Sequence, residues 1–411
     1  MKSVFNTTAI NSTAKYCLLA VVLLWLSVLS APPVLVCANP DDNSVDDVIS
    51  DDIAELTIFA HMLMRDNNPG KHKYGEAYQR LKDMGDLALP YITATFEDAD
   101  WPLRVLLFEL ACDIDTQAGY QLAMQGIKSN NWRLQTAIFD RLRQAKTKDT
   151  LDVLIAMLQR TRKGRLQTLM LDLLYAWTGE TFAGDIPYWQ KWWLQARESF
   201  DFSKIEAPDI DPRQENKFTK LKVISKNVVF VIDISKSMQW GGRIRLAKKE
   251  LLRIISSFPQ DVCFNVIFFS EKVWLWKPDL VPATDKNRRD AGTWIFNKKL
   301  EPGTNTFGAL TAAVNSSADT VFFLSDGDPQ CGTITNMTTI EGIITRRNRI
   351  KRISINTIGF FFGTLPPEVE LISAKKAQTM KFMRTLAENN NGSFLEVTAK
   401  EIKNRVGDKE K

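Results

Sequence analysis

Three oxygen-bearing side chains follow a strongly apolar run in the second half of this 411-residue chain. Residues 228–232 read VVFVI, which is typical of a strand buried on both faces. Asp233, Ser235 and Ser237 come at the point where that strand must end. Because Mg²⁺ is held by hard oxygen ligands, this spacing predicts a metal site at the carboxyl end of the strand.

Two further oxygen donors lie downstream. Thr304 stands in the stretch GTNTFGAL at 303–310, and Asp326 follows the apolar run TVFFLS at 320–325. Together with the Asp-x-Ser-x-Ser motif, these stretches resemble the metal-ion-dependent adhesion site of von Willebrand factor A domains, as found in integrins. Asp-x-Ser-x-Ser alone is a weak signal, but three elements in the family's order make the resemblance specific.

The resemblance implies a set of metal-site residues and a role for each. The five residues are Asp233, Ser235, Ser237, Thr304 and Asp326. The two serine hydroxyls are expected to bind the cation directly, the two carboxylates to act partly through water, and the threonine to join or leave with ligand state. An open coordination position then accepts an Asp or Glu carboxylate of a protein partner. Mg²⁺ is the expected cofactor, with Mn²⁺ or Ca²⁺ as alternatives.

One residue departs from the family's motif. Lys236 occupies a position at which many members carry Gly. We expect its side chain to point into solvent and to change little. The alternative is that its ammonium group reaches the rim of the site and weakens the binding of a cation.

Strand and helix patterns alternate from residue 227 onward, which predicts a doubly wound α/β sheet of the Rossmann-like kind. The predicted strands are 228–234, 263–270, 273–276, 320–324, 354–361 and 393–397. The family resemblance implies the order 3-2-1-4-5-6, in which the first and fourth strands are neighbours. Asp233 and Asp326 then face one crevice at the carboxyl ends of the strands, where ligands of open α/β sheets bind.

The preceding residues, 53–200, have a helical pattern that repeats. Leu103, Leu134 and Leu166 are spaced by 31 and 32 residues, and each is followed five places on by an apolar residue and then by an acid. This is the period of a helix hairpin, and such self-similarity is typical of a solenoid. The stretch resembles HEAT-like repeats, so we predict an all-α solenoid before the α/β domain.

Three tryptophans close this helical block. Trp189, Trp192 and Trp193 fall at i, i+3 and i+4 on one helix face. We expect them to form a terminal cap over the last repeat, because aromatic side chains at this spacing usually belong to a core. The alternative is a platform for a ligand.

A run of basic residues ends one predicted helix of the α/β domain. Its members are Arg346, Arg347, Arg349, Lys351 and Arg352. We expect a solvated face here, with docking to an acidic lipid or protein as the alternative.

The amino terminus has the pattern of an export signal. No acid precedes Asp41, residues 17–29 are apolar, and cleavage after Ala38 fits the small-residue rule. Residues 1–38 are therefore expected to be a cleaved signal peptide. An uncleaved membrane anchor and a lipoprotein signal at Cys37 are the alternatives.

The predicted layout has six parts. They are a signal peptide or anchor at 1–38, an acidic lead-in at 39–52, a HEAT-like domain at 53–200, a linker and connecting segment at 201–226, a von Willebrand factor A domain at 227–400, and a charged tail at 401–411. This layout resembles exported bacterial proteins that pair the two domains. We expect a protein of the periplasm or cell envelope, either secreted or associated with the membrane through its amino terminus.

These patterns favour a binding protein over an enzyme. Both histidines, His61 and His72, precede the α/β domain, so a His-based triad is not expected there. A net charge of +5 is too small to indicate nucleic-acid binding. We predict a module for metal-dependent protein–protein interaction. The alternatives are a scaffold that binds a second protein through its helical repeats, with a vestigial metal site, and a metal-assisted hydrolase.

Overall fold

The computed structural model describes residues 43–64, 74–182, 184–205, 225–361 and 369–397. The predicted signal peptide, most of the linker and the charged tail lie outside these residues. The chain divides into two compact units, Met1–Ser50 and Asp51–Lys411, and the second contains the helical block from Asp51 onward and the α/β domain. Among the described helices, none is long and apolar enough to cross a bilayer.

The described part of the helical block consists of consecutive α-helices. They are α1 (Asn43–Met64), α2 (Tyr74–Met84), α3 (Leu89–Asp98), α4 (Trp101–Ile114), α5 (Thr116–Gly126), α6 (Trp132–Leu142), α7 (Lys148–Leu158), α8 (Arg165–Thr178) and α9 (Ile186–Ala196). The first helix begins within the predicted acidic lead-in, about ten residues before the expected start near Ile53. The reason is that Val45, Val48 and Ile49 extend its apolar spacing toward the amino terminus.

Successive helix pairs stack in the manner that the repeat predicts. Helix α4 lies against α6, and α5 lies against α7. The repeated leucines Leu103, Leu134 and Leu166 are all buried. Side-chain caps start α4, α5, α6 and α7, as when Asp100 accepts a hydrogen bond from the Leu103 amide at 3.3 Å. A hairpin cannot bury its apolar face alone, so the stacked neighbours supply the core.

The tryptophan cluster is a packed cap, as predicted. Trp189 and Trp193 are only 1% and 5% exposed. The Trp192 ring lies edge-on to Trp189 and to Phe200, with centroids 5.9 and 5.8 Å apart. Trp193 also donates from Nε1 to Asp152 at 2.6 Å, which ties α9 to α7. The packing of these rings closes the end of the helical block, with Trp192 itself half-buried.

The α/β domain alternates strands and helices along the chain. The strands are β1 (Asn227–Asp233), β2 (Cys263–Phe269), β3 (Val273–Leu275), β4 (Val281–Pro282), β5 (Thr320–Ser325), β6 (Ser354–Phe360) and β7 (Phe394–Val397). The helices are α10 (Arg243–Ser257), α11 (Asp285–Asn297), α12 (Thr306–Val314), α13 (Met337–Lys351) and α14 (Val369–Glu388).

The sheet has the order β3-β2-β1-β5-β6-β7, with β4 also paired to β2. Strands β3 and β4 are antiparallel to β2, and the other pairs are parallel. The predicted fold class and strand order are therefore confirmed. Only the two-residue β4 was missed, because so short a strand has no readable period.

Side chains of β1 alternate between two cores, one on each face of the sheet. Val228, Phe230 and Ile232 pack with α10 and α11. Val229 and Val231 pack with α12, α13 and α14. Because both faces of β1 are covered, apolar side chains fill the strand. Polar side chains begin only at its carboxyl end.

The helical block packs against the α/β domain through the basic run. Glu109 of α4 accepts a hydrogen bond from Arg349 Nε at 2.8 Å and also pairs with Arg352. Asp140 of α6 accepts from Asn391 Nδ2 at 2.7 Å. Glu109 and Asp140 are the acids that follow the repeated leucines Leu103 and Leu134 by six residues.

The expectation that the basic run is a solvated face is therefore wrong, although Arg346 itself is exposed. Arg347 and Lys351 are buried at 6% and 4% exposure and bond within their own domain, to Thr311 and Asn315. Arg349 and Arg352 instead find acids of the helical block, more than 200 positions away in sequence. A charge pattern read along one helix cannot show partners at that separation.

Candidate metal centre

Two adjacent parallel strands place the two predicted carboxylates together. Asp233 ends β1, and Asp326 follows directly after β5. Ile232 lies opposite Leu324 in the neighbouring strand. Asp233 comes one position after this pair, and Asp326 comes two positions after it. This is the edge of the sheet where the strand order reverses, and the structure brings both acids there as predicted.

Asp233 is completely buried and accepts two hydrogen bonds. The Ser235 amide donates to its Oδ1 at 2.7 Å, and the Ser325 hydroxyl donates to its Oδ2 at 2.6 Å. Burial raises the pKa of Asp233 to about 7, the nearby charge of Asp326 adds to the rise, and the two hydrogen bonds oppose it. The Asp233 carboxylate is therefore costly to ionise unless positive charge lies beside it.

A chain of hydroxyl groups links the motif to the second acid. The Oγ atoms of Ser235 and Ser237 are 2.9 Å apart, and Ser237 donates to Asp326 Oδ1 at 2.8 Å. Ser235 is buried, whereas Ser237 is partly exposed. Burial also raises the pKa of Asp326. The structure thus gathers two carboxylates and two hydroxyls in one connected cluster.

Arg243 completes this cluster and was not predicted. Its Nη1 lies 2.5 Å from Asp326 Oδ2, and this ion pair lowers the pKa of Asp326 against the effect of burial. Gly241 and Gly242 have φ values of 57° and 73°, and this turn sets Arg243 at the first position of α10. The sequence signal that could have identified Arg243 is the Gly-Gly pair directly before it, ten positions after Asp233.

The fifth predicted residue, Thr304, lies in a loop held against the same edge. It is 1% exposed, its amide donates to Cys331 Sγ at 3.2 Å, and its carbonyl accepts from the Gln330 amide at 3.0 Å. Gly303 has φ +86°, and a Cβ atom there would lie 2.9 Å from the Cys331 sulfur. The loop thus needs glycine, and it binds the segment that follows Asp326.

Lys236 has the placement expected of it. Its side chain is exposed, and in the described part of the chain it forms no ion pair with the two acids. The cationic group at the site is Arg243 rather than Lys236.

The donor set fits a hard divalent cation. The cluster contains two carboxylates and one guanidinium, so when fully ionised it keeps a net charge of −1 in a nearly water-free position. Hydroxyl and carboxylate oxygens are the ligands that Mg²⁺ accepts, and Mg²⁺ usually keeps several waters alongside few protein ligands. Within the described residues, no group of three or more His, Cys, Asp or Glu side chains is placed to hold a metal ion, and the candidate centre combines only two acids with hydroxyl groups.

The family comparison bears on the same segment. Residues 227–404 match the model of the von Willebrand factor type A domain. The inter-alpha-trypsin inhibitor heavy chain H1 of Mesocricetus auratus is 31% identical over 151 residues, which are 33% of this chain and 16% of that protein. The inter-alpha-trypsin inhibitor heavy chain 4 of Mus musculus is 34% identical over 165 residues, which are 36% and 17%. This chain therefore spans about a sixth of the length of these relatives.

Solved structures include similar folds. A von Willebrand factor type A protein from Catenulispora acidiphila has 18% identity and a TM-score of 0.33, covering 42% of this chain and 38% of that one. The corresponding domain of the type V pili tip protein Mfa5 from Porphyromonas gingivalis has 13% identity and a TM-score of 0.33, covering 44% and 92%. On the family model and the two relatives, residues 227–404 of this chain are a von Willebrand factor type A domain.

Proposed function

We propose that this chain is a non-enzymatic module that binds a protein partner through a divalent cation held at the candidate metal centre. Mg²⁺ is the first choice, with Mn²⁺ and Ca²⁺ as alternatives. The ligand of the partner is an Asp or Glu carboxylate. The von Willebrand factor type A domain supports a role in protein interaction, and the metal dependence is the part that we add.

Each side chain has a distinct task in this proposal. Ser235 and Ser237 offer hydroxyl oxygens directly to the cation, and Thr304 joins or leaves the coordination shell from the loop that also binds Gln330 and Cys331. Asp233 and Asp326 supply negative charge from positions fixed by hydrogen bonds. When bound, the cation supplies a positive charge and an open coordination position for an incoming oxygen.

The observation that carries the proposal is the pair of buried carboxylates on neighbouring strands. Asp233 is fully enclosed, and the Asp326 side chain has no exposed surface. The charge of Asp326 adds to the effect of burial in raising the pKa of Asp233, and one arginine offsets only part of the charge of the two acids. Proteins that bury charges pair them or use them to coordinate metals.

Titration of Mg²⁺ into the full chain, followed by calorimetry, tests the proposed site. We expect one binding event for the wild type and none for Asp233→Ala or for Ser237→Ala. A matched control is Asp328→Ala, which removes an acid two residues beyond Asp326 that contributes no ligand in this account. Equal Mg²⁺ binding by all four proteins would overturn the site.

A second protein partner on the helical block is the next candidate function. The α/β domain covers the face of α4 and α6 that carries Glu109 and Asp140. Elsewhere in the block Leu194 and Met124 are 84% and 44% exposed. These side chains favour a further contact surface away from the domain interface, in line with the extended binding surfaces of helical repeats.

We also place the protein outside the cytoplasm, in the periplasm or cell envelope. This part of the proposal rests on the sequence of residues 1–38, with its apolar stretch and small-residue cleavage site. Secretion and membrane attachment through the same segment are both compatible with it. Amino-terminal sequencing of the mature protein tests it: a mature chain that begins at Asn39 indicates cleavage, and one that begins at Met1 indicates an anchor.

A further inference from the structure

Two exposed aromatic side chains lie at the same end of the α/β domain as the metal centre. Trp240 is 42% exposed and Phe296 is 78% exposed. Trp240 belongs to the 3₁₀ segment Lys236–Gly242, which connects the motif to α10, and Phe296 lies in the last turn of α11. Large apolar side chains exposed next to a binding centre are typical of an interaction surface.

Contacts between elements bring Phe296 to the same end of the domain as the centre. Lys248 of α10 donates from Nζ to the Phe296 carbonyl at 3.2 Å. Five residues further on, Glu301 pairs with Ser235 in a parallel bridge. The segment that follows Phe296 therefore pairs with the metal-binding motif at Ser235. Trp240 follows the same motif, five residues after Ser235.

The segments around Trp240 and Phe296 also carry exposed basic residues. Four exposed cations are Lys236, Arg245, Lys249 and Lys299. Within the described residues, none of the four forms an ion pair with a carboxylate. Lys298 differs, since it pairs with Glu301 at 2.9 Å. We call these four cations, with Trp240 and Phe296, the basic aromatic rim.

We propose that the basic aromatic rim selects partners, and this rests on the proposed function of the metal centre. The rim fits a protein segment in which the carboxylate that reaches the cation is accompanied by further acidic residues and by a bulky apolar side chain. The additional acids face the four cations, and the apolar side chain packs on Trp240 and Phe296. Such charge complementarity speeds association and sets specificity.

An anionic membrane surface also attracts basic and aromatic side chains. A protein segment is the better fit because the rim borders a centre that takes a single carboxylate in fixed geometry. Hydroxyls and carboxylates at that centre are held by hydrogen bonds of 2.6 to 2.9 Å, so they suit one defined ligand group.

Selection from a random peptide display library tests the proposal. The full chain is immobilised in Mg²⁺, and binding of the selected peptides is then measured by fluorescence anisotropy. We expect enrichment of peptides that combine two or more acids with an aromatic or large aliphatic residue. Trp240→Ala and Phe296→Ala should each weaken their binding at least tenfold, and Lys236→Gln with Lys299→Gln should reduce its dependence on salt. Leu87→Ala, which removes a 64% exposed apolar side chain of the helical block, should leave binding unchanged.

The contrary outcomes separate the two proposals. Peptides that need Asp233 and Mg²⁺ but bind the rim variants as well as the wild type would overturn the rim and leave the metal function intact. Peptides that bind Asp233→Ala equally well in chelator would overturn the metal function itself. The rim would also be overturned as a site for peptides if the selected peptides showed no preference for acidic and apolar residues. The same conclusion would follow if the wild type, but not Trp240→Ala, sedimented with phosphatidylglycerol vesicles.

Discussion

Arg243 and Asp326 form an enclosed ion pair at the metal centre. Their closest atoms are 2.5 Å apart, and the two side chains are 5% and 0% exposed. The other oxygen of Asp326 accepts a hydrogen bond from the Ser237 hydroxyl. The hydroxyls of Ser237 and Ser235 are hydrogen-bonded to each other, and the Ser235 amide donates to Asp233. One guanidinium therefore holds in place a cluster that contains two buried acids.

Loss of this guanidinium should have opposite effects on stability and on metal affinity. Arg243→Gln leaves Asp326 without its ionic partner, and removing one member of a buried pair costs about 3 kcal/mol of unfolding free energy. The same change makes the cluster more negative, so Mg²⁺ should bind more tightly and restore part of that stability. Urea denaturation with and without Mg²⁺ measures both effects. Arg245→Gln, two residues on and exposed, is the control and should change neither.

The raised pKa of Asp233 predicts how the metal-free protein responds to pH. Its folded pKa of about 7 lies above the value of about 3.9 in an unfolded chain, so the folded state binds the proton more tightly. The stabilising contribution is fully present below about pH 3.9 and is lost as pH rises toward 7. In chelator, the unfolding free energy of the wild type should therefore fall across this window relative to Asp233→Asn. Parallel curves for the two proteins would contradict the assigned titration.

Metal affinity should change in the opposite direction, because the cation needs the ionised carboxylate. Mg²⁺ binding by the wild type should strengthen as pH rises and level off above about 7, by up to about tenfold per pH unit for one proton released. Calorimetry in buffers of different ionisation enthalpy counts that proton. Binding that is independent of pH from 5 to 8, with no proton released, would exclude a role for a protonated Asp233.

Glu109 should control how firmly the helical block holds the α/β domain. It pairs with both Arg349 and Arg352, and its side chain is only 17% exposed. Glu109→Ala should cost about 2 kcal/mol, less than for a fully buried pair. It should also speed amide hydrogen exchange at the end of α13. Glu198→Ala removes an acid that is 92% exposed in its pair with Arg197, and it should have little effect.

Trp189→Ala tests whether the tryptophan cluster is a cap. The side chain is 1% exposed and contacts Phe182 and Trp192, so its removal should cost about 3–5 kcal/mol. Leu194→Ala in the same helix should cost less than about 0.5 kcal/mol, since Leu194 is 84% exposed. Thermal unfolding of the two variants gives the comparison. A Trp189→Ala protein as stable as Leu194→Ala would contradict the cap.

The sequence predicted those features of the fold whose residue pattern and structure have the same physical cause. The run before Asp233 is apolar at every position because both faces of β1 are covered, so the strand and its polar end are visible in the residues alone. The neighbouring placement of Asp326 followed from the family's strand order. The repeated leucines likewise mark helix faces that stack on one another.

Other features depend on contacts that no local pattern contains. Arg243 is buried only because a two-glycine turn aims α10 at Asp326, 83 residues away in sequence. Arg352 resembles any solvated basic residue until Glu109, 243 positions away, is placed beside it. Burial of a charged group is decided by its partner, and that partner is known only when the fold is known.

The most direct test of metal-dependent partner binding is affinity capture from native cell envelopes. Full-length wild type and Asp233→Ala serve as baits, each in Mg²⁺ and in chelator, and circular dichroism first verifies that the variant is folded. We predict a partner that is retained only by the wild type in Mg²⁺, through an acidic residue. Retention of the same proteins by both baits in both conditions would contradict the metal-dependent account and assign the interaction to the helical block.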